Sequence, residues 1–132
     1  LPDRVFFACG ACHILAHAFI KRYSAIGELT ALWLHPKNNH PGNHIVVAHD
    51  DWVFDYHGYS KRAAFISHCI RRARQRWPDW DVEIKEIPHD VLISEPKSRQ
   101  IDGLWLREPK QFLHDALPRA ERFLERFAPP PS

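Results

Sequence analysis

The sequence predicts an α+β fold, an antiparallel sheet packed by an N-terminal helix and by further helices. Three observations carry this. One amphipathic helical pattern comes first, short apolar runs joined by turns follow it, and longer helical patterns appear only afterwards, in the order α-β-β-β-α-β-(β)-α. At 132 residues the chain has the size of one ordinary domain. We read residues 1–128 as that domain and 129–132 as a Pro-rich tail.

Over 12–24, Cys12, Leu15, Ala16, Phe19 and Tyr23 recur at helical spacing between Gly10 and Gly27. The run 29–34 (LTALWL) reads as a buried strand stopped by Pro36, and 37–42 (KNNHPG) as a turn. Strands follow over 43–48 and 52–56, joined by His49-Asp50-Asp51 into a hairpin. Pairing Val46 with Val53 would set His44 directly opposite Asp55. Residues 57–60 turn the chain, and Ser60 is the expected N-cap of a helix that runs to Trp77, where Pro78 stops it. Alternation over 80–87 predicts a half-exposed strand, while 88–100 carries no single pattern. Residues 101–106 read as a short strand and 108–127 as a helix, with no internal repeats anywhere.

Composition narrows the functional classes. Apolar residues make up 45 % and charged residues 26 %, close to globular averages, which excludes disorder and fibrous repeats. A net charge of +2 is too small to imply nucleic acid. No apolar run approaches the roughly 18–20 residues of a membrane-spanning helix, so neither nucleic acid nor membrane is an expected partner. Three cysteines are too few for a disulfide scaffold and fit either the cytoplasm, which is favoured, or a mildly oxidising compartment. The chain begins at Leu1 and contains no methionine, so a trimmed or processed product is expected, with any targeting segment upstream. Nothing bears on oligomeric state.

The sharpest local feature is Cys9-Gly10-Ala11-Cys12-His13. Cys12 would stand in the first turn of a helix, where unpaired backbone N–H groups and the helix dipole favour a thiolate. A nucleophilic thiol also needs an imidazole to pair with and a carboxylate to orient that imidazole. His44 and Asp55, on adjacent strands of the hairpin, supply both. Asp55 lies between Phe54 and Tyr56, a costly place for an acid unless a partner such as His44 satisfies it.

Cys9-Gly10-Ala11-Cys12 resembles the C-G-[SA]-C signature of papain-like cysteine peptidases, whose second Cys is the nucleophile at a helix start. The order Cys, His, Asp is also similar to that of the wider papain-like and transglutaminase-like superfamily. There, a helix carrying the Cys packs against an antiparallel sheet carrying His and Asp or Asn. The resemblance covers about residues 6–58 and implies Cys12 as nucleophile, His44 as base and Asp55 as its orienter. It implies thiol-dependent acyl transfer on a peptide, protein or amide substrate, by a peptidase, amidase, deamidase or transglutaminase-type enzyme, with no cofactor and no catalytic metal. His13 stands where papain has an aromatic residue, no Gln precedes the Cys, and His44 follows Cys12 by only 32 residues. These departures point to a compact relative, with backbone N–H groups such as that of Cys12 as oxyanion donors.

Two other chemistries share these residues. Cys9-x-x-Cys12-His13 matches the attachment pattern of c-type haem. Cys9 and Cys12 with His40 and His44 have spacing acceptable for tetrahedral zinc, which would make the chain a zinc-stabilised, non-catalytic binding domain. His13 and His17 share a helix face and read as solvent-facing. Asn43 and His57 are the candidate substrate contacts, His49 is an alternative base and Asp51 an alternative orienter. Cys69 lies among Phe65, Ile66 and Ile70 and reads as core, and Arg71, Arg72, Arg74 and Arg76 read as a solvated face offset by Asp79, Asp81 and Glu83.

Overall fold

A computed structural model describes residues 1–131 and has the α+β architecture, built on one five-stranded antiparallel sheet. The chain opens with α1 (Asp3–Ala8) and α2 (Cys12–Arg22). It then lays down β1 (Thr30–Pro36), β2 (His44–His49), β3 (Trp52–Asp55) and β4 (Gly58–Lys61). Next come α3 (Arg62–Arg76), β5 (Val82–Ile87), α4 (Glu95–Ser98) and α5 (Ala116–Leu124). The strand order is β4-β3-β2-β1-β5, so the first three connections are between neighbours and α3 carries the chain back to the far side of β1.

Alternation along the strands divides the sheet into two faces. Ala31, Trp33, Ile45, Val47, Trp52 and Phe54 join Phe7, Ile14, Phe19 and Phe123 in the main core, against α2 and α5. Phe19 is its centre, fully buried and stacked on Phe54 with ring centroids 4.4 Å apart. Leu32, Leu34, Val46, Ala48 and Val53 line the opposite face, where Phe65 and Cys69 of α3 pack on them. No residue of α3 is itself buried. The first layer is therefore tight and the second loose, and a groove stays open beneath α3.

Several sequence expectations are corrected. The β2–β3 register pairs Val47 with Phe54, Ala48 with Val53 and His49 with Trp52, so only Asp50 and Asp51 form the turn. Asp50 accepts the positive φ of 48° that this tight turn requires. Asp55 consequently lies diagonal to His44 rather than opposite it, still on the same face. Residues 58–61 are a strand, not a turn, because Gly58 at φ +99° closes a second tight hairpin with Asp55. Ser60 is thereby paired with Val53, and Lys61 stands before the helix with no side-chain cap.

The expected strand over 101–106 is absent. Gly103 turns at φ +81°, and the buried Ser98 hydroxyl captures the Leu106 N–H at 2.9 Å, so this segment is a looped strap. The expected helix over 108–127 shrinks to α5, whose third residue is Pro118. Proline belongs to a first helical turn, and the Asp115 carboxylate caps that turn through the Leu117 N–H. Residues 128–131 form no helix or strand, and Ser132, the last of the expected tail, lies outside the described residues.

Removing the ring at the centre of the main core should leave a cavity that its neighbours cannot fill. Phe19→Ala is expected to lower the free energy of unfolding by about 3–5 kcal/mol, measured by urea denaturation. A loss below about 1 kcal/mol would show that α2 does not depend on this packing.

Candidate active site

Cys12 is the first residue of α2. Ala11, fully buried, fixes its position: the Ala11 N–H donates to Phe6 O at 3.2 Å, and Ala11 O accepts from both Ile14 and Leu15. Ala11 offers no side-chain cap, and among the described residues the backbone N–H groups of Cys12 and His13 find no acceptor. The helix therefore begins with free donors at the thiol, as a helix start requires unless it is capped.

His44 stands at the opening of β2 and Asp55 at the end of β3, so both lie at one end of the sheet. His44 Nε2 is 3.0 Å from Asp55 Oδ2, and the other oxygen, Oδ1, accepts the His57 backbone N–H at 2.9 Å. With Nε2 committed to the carboxylate, Nδ1 is the nitrogen left for Cys12. The His44 ring also neighbours Tyr56 and Phe65, with centroids at 5.9 and 6.4 Å. Two indoles hold the loop before it. Trp33 Nε1 donates to Asn43 Oδ1 at 2.9 Å, and Trp80 Nε1 donates to Pro41 O at 2.9 Å.

The electrostatics follow from this arrangement. Burial by itself would push the Cys12 thiol up, but hydrogen bonds with His13 and His44, and the charges of those rings, outweigh it and bring the thiol down to about 6. Burial would likewise push His44 down, yet hydrogen bonds to Asp55 and Cys12, with their negative charge, raise it to about 10. Between these values thiolate and imidazolium coexist. Cys69 is the contrast: burial, then the charge of Asp55, lifts its thiol to about 11.

His13 reverses expectation, since it is buried rather than solvent-facing. Its Nε2 lies 2.7 Å from Arg107 O. A carbonyl can only accept, so Nε2 carries a proton and the ring ties the strap to α2. Its burial was legible in the apolar character of α2 nearly all round, Ile14, Ala18 and Ile20 included. The strap, with Gly103 against the His35 ring and Trp105 65 % exposed, is the second wall of a cleft of about 520 Å³ over Cys12, His13 and His44. Sequence patterning gave no sign of that role. A second groove, of about 720 Å³, lies beneath α3, and the two share Ala8, Gly42, Asn43 and His44.

The remaining candidates separate. Asn43 borders both hollows, whereas the half-exposed His57 borders only the groove. His49 sits at the opposite end of β2 beside Trp52 and Asp50, and Asp51 is at the exposed turn, so neither belongs to this site. The zinc set is not assembled: His40 turns to Asp79 at 3.2 Å, and among the described residues no group of three or more His, Cys, Asp or Glu is placed to hold a metal. Cys9 is exposed, and all three cysteines are free. Comparison of the chain with known protein families, curated proteins and solved structures finds no match.

Two outcomes test the site. In a Cys9→Ser/Cys69→Ser background, thiolate absorbance should appear with a midpoint near pH 6, and His44→Ala should move it up towards the ordinary thiol value of about 8.5. A midpoint already near that value would refute the pairing. Separately, His13→Ala should release the strap, so that limited proteolysis cuts within 99–107 while unfolding remains cooperative. An unchanged digestion pattern would show that the strap stands without His13.

Proposed function

We propose that the protein is a thiol hydrolase that cleaves peptide or amide bonds through a Cys12–His44–Asp55 triad in a papain-like arrangement. The observation that carries this reading is the low thiol of Cys12, at about 6, beside an imidazole anchored 3.0 Å from a buried carboxylate. Perturbed groups that converge at a cleft are the expected form of a nucleophile, its proton carrier and an orienting acid.

In the proposed reaction the Cys12 thiolate attacks the substrate carbonyl carbon, and the oxygen takes the electron pair. The free N–H groups of Cys12 and His13 offer the developing oxyanion its hydrogen bonds. His44 Nδ1 then gives its proton to the leaving nitrogen, the C–N bond breaks and a thioester remains. Water, deprotonated by the same nitrogen, adds to the thioester and expels Cys12 as thiolate, leaving His44 protonated again. Asp55 holds the ring orientation throughout. An amine in place of water would make the same site a transferase.

In a Cys9→Ser/Cys69→Ser background, which should keep hydrolysis and labelling, Cys12→Ala should abolish both hydrolysis and covalent labelling by iodoacetamide. His44→Ala should lower kcat/KM by about 10²–10⁴. The wild-type kcat/KM should rise through pH 6 and fall through pH 10, as the thiol loses its proton and the imidazolium then loses its own. Full activity in Cys12→Ala would overturn the reading.

A further inference from the structure

Four of the five arginines of α3, Arg71, Arg72, Arg74 and Arg76, form a single basic run in sequence, but their surroundings differ. Arg74 donates to Trp80 O at 2.9 Å and meets Asp81 at 3.6 Å, while Arg76 lies over the Trp77 ring at 5.2 Å. Arg71 and Arg72 make no ion pair among the described residues, and both border the groove beneath α3. Tyr56, Phe65, Trp77 and Trp80 contribute its aromatic walls. Asp55 is the one carboxylate that reaches this groove among the described residues, and its oxygens are committed to His44 and to the His57 N–H. The groove therefore combines aromatic surface with two unanswered guanidinium groups.

Its place relative to the thiol assigns it a side of the substrate. Cys12 and His13 border the strap-side cleft and not the groove, so the attacked carbonyl and its oxyanion belong to the strap side. His44 stands where the two hollows join, and it is the group that protonates the leaving nitrogen. The chain beyond that nitrogen runs on into the groove. Resting on the thiol-hydrolase reading above, we propose that the groove beneath α3 binds the leaving half of the substrate and selects one whose carboxylate, from an acidic side chain or a peptide C terminus, lies beside an apolar side chain. A guanidinium matches a carboxylate in two parallel hydrogen bonds, and the apolar neighbour covers the aromatic wall.

Product-like tripeptides test this without catalysis. Leu-Phe-Glu, its C-terminal amide, Leu-Phe-Gln and its amide are titrated by calorimetry into the whole chain. Leu-Phe-Glu should bind at least about tenfold more tightly than Leu-Phe-Gln amide, with the difference shrinking as salt rises. The two peptides with one carboxylate identify its source, side chain or chain end. Arg71→Gln/Arg72→Gln should erase the difference. Arg71→Glu/Arg72→Glu should instead favour Leu-Phe-Lys amide, an inversion that a merely structural role would not produce. Equal binding of all four peptides, no binding, or a preference that survives in the double Gln variant overturns the proposal. Iodoacetamide labelling of the unmodified chain is read in parallel. An activated Cys12 without carboxylate preference removes the groove proposal alone, and carboxylate preference with an unactivated Cys12 removes the thiol reading alone.

Discussion

Asp55 has 3 % of its side chain exposed, and a carboxylate so placed must find donors for both oxygens or destabilise the fold. One oxygen takes the His57 N–H from its own hairpin turn, and the other takes His44 from the neighbouring strand. These two bonds tie together the β3–β4 turn, the opening of β2 and the ring that reaches Cys12. Gly58 shares in this, because the turn closes only with a residue that tolerates positive φ, and the Phe127 ring lies 3.3 Å from where its Cβ would be. The position of the proposed base is thus fixed by backbone geometry as much as by side-chain packing.

Unequal packing on the two faces of the sheet gives the site its shape. Beneath α2 lies a dense aromatic core, so the helix start and Cys12 are held rigidly against the sheet end. Beneath α3 no helical residue is buried, so space remains at the same end of the sheet. A catalytic group belongs on the rigid layer, and an extended substrate needs the room left by the loose one. His44 stands at the join, with the Tyr56 and Phe65 rings both beside its own.

Much of this was legible in the residues, for identifiable reasons. Periodicity exposed α2, and the paired apolar runs exposed the β2–β3 hairpin, because both signals are local. Cys12, His44 and Asp55 stood out because each residue type was unusual for its surroundings. The β2–β3 register escaped because Asp50 and Asp51 make a tighter turn than the three-residue loop that the sequence suggested. β4 escaped because Gly58 and Ser60 are poor strand formers whose place is set by pairing with β3. The tie from His13 to the strap depended on a carbonyl 94 residues away, which no local pattern encodes. The strap over 99–107 was lost for the same reason, its course being set by Ser98, Gly103 and the face of β1.

The cost of the Cys12–His44 pair supports the proposed catalytic role over a purely structural one. Charges removed from water lose hydration worth several kcal/mol each, and a well-packed apolar pair of similar volume is often as stable or more so. The molecule meets this cost locally. Free N–H groups at the start of α2 and the His13 ring favour the thiolate, and the Asp55 carboxylate favours the imidazolium. A structural cysteine needs none of this support, as Cys69 shows: it packs under α3 as a small apolar residue with its thiol raised to about 11. Two cysteines in one small fold are therefore driven in opposite directions by their neighbours. The one driven towards thiolate lines the cleft under the strap, and that coincidence of charge and open space is what the proposed nucleophile requires.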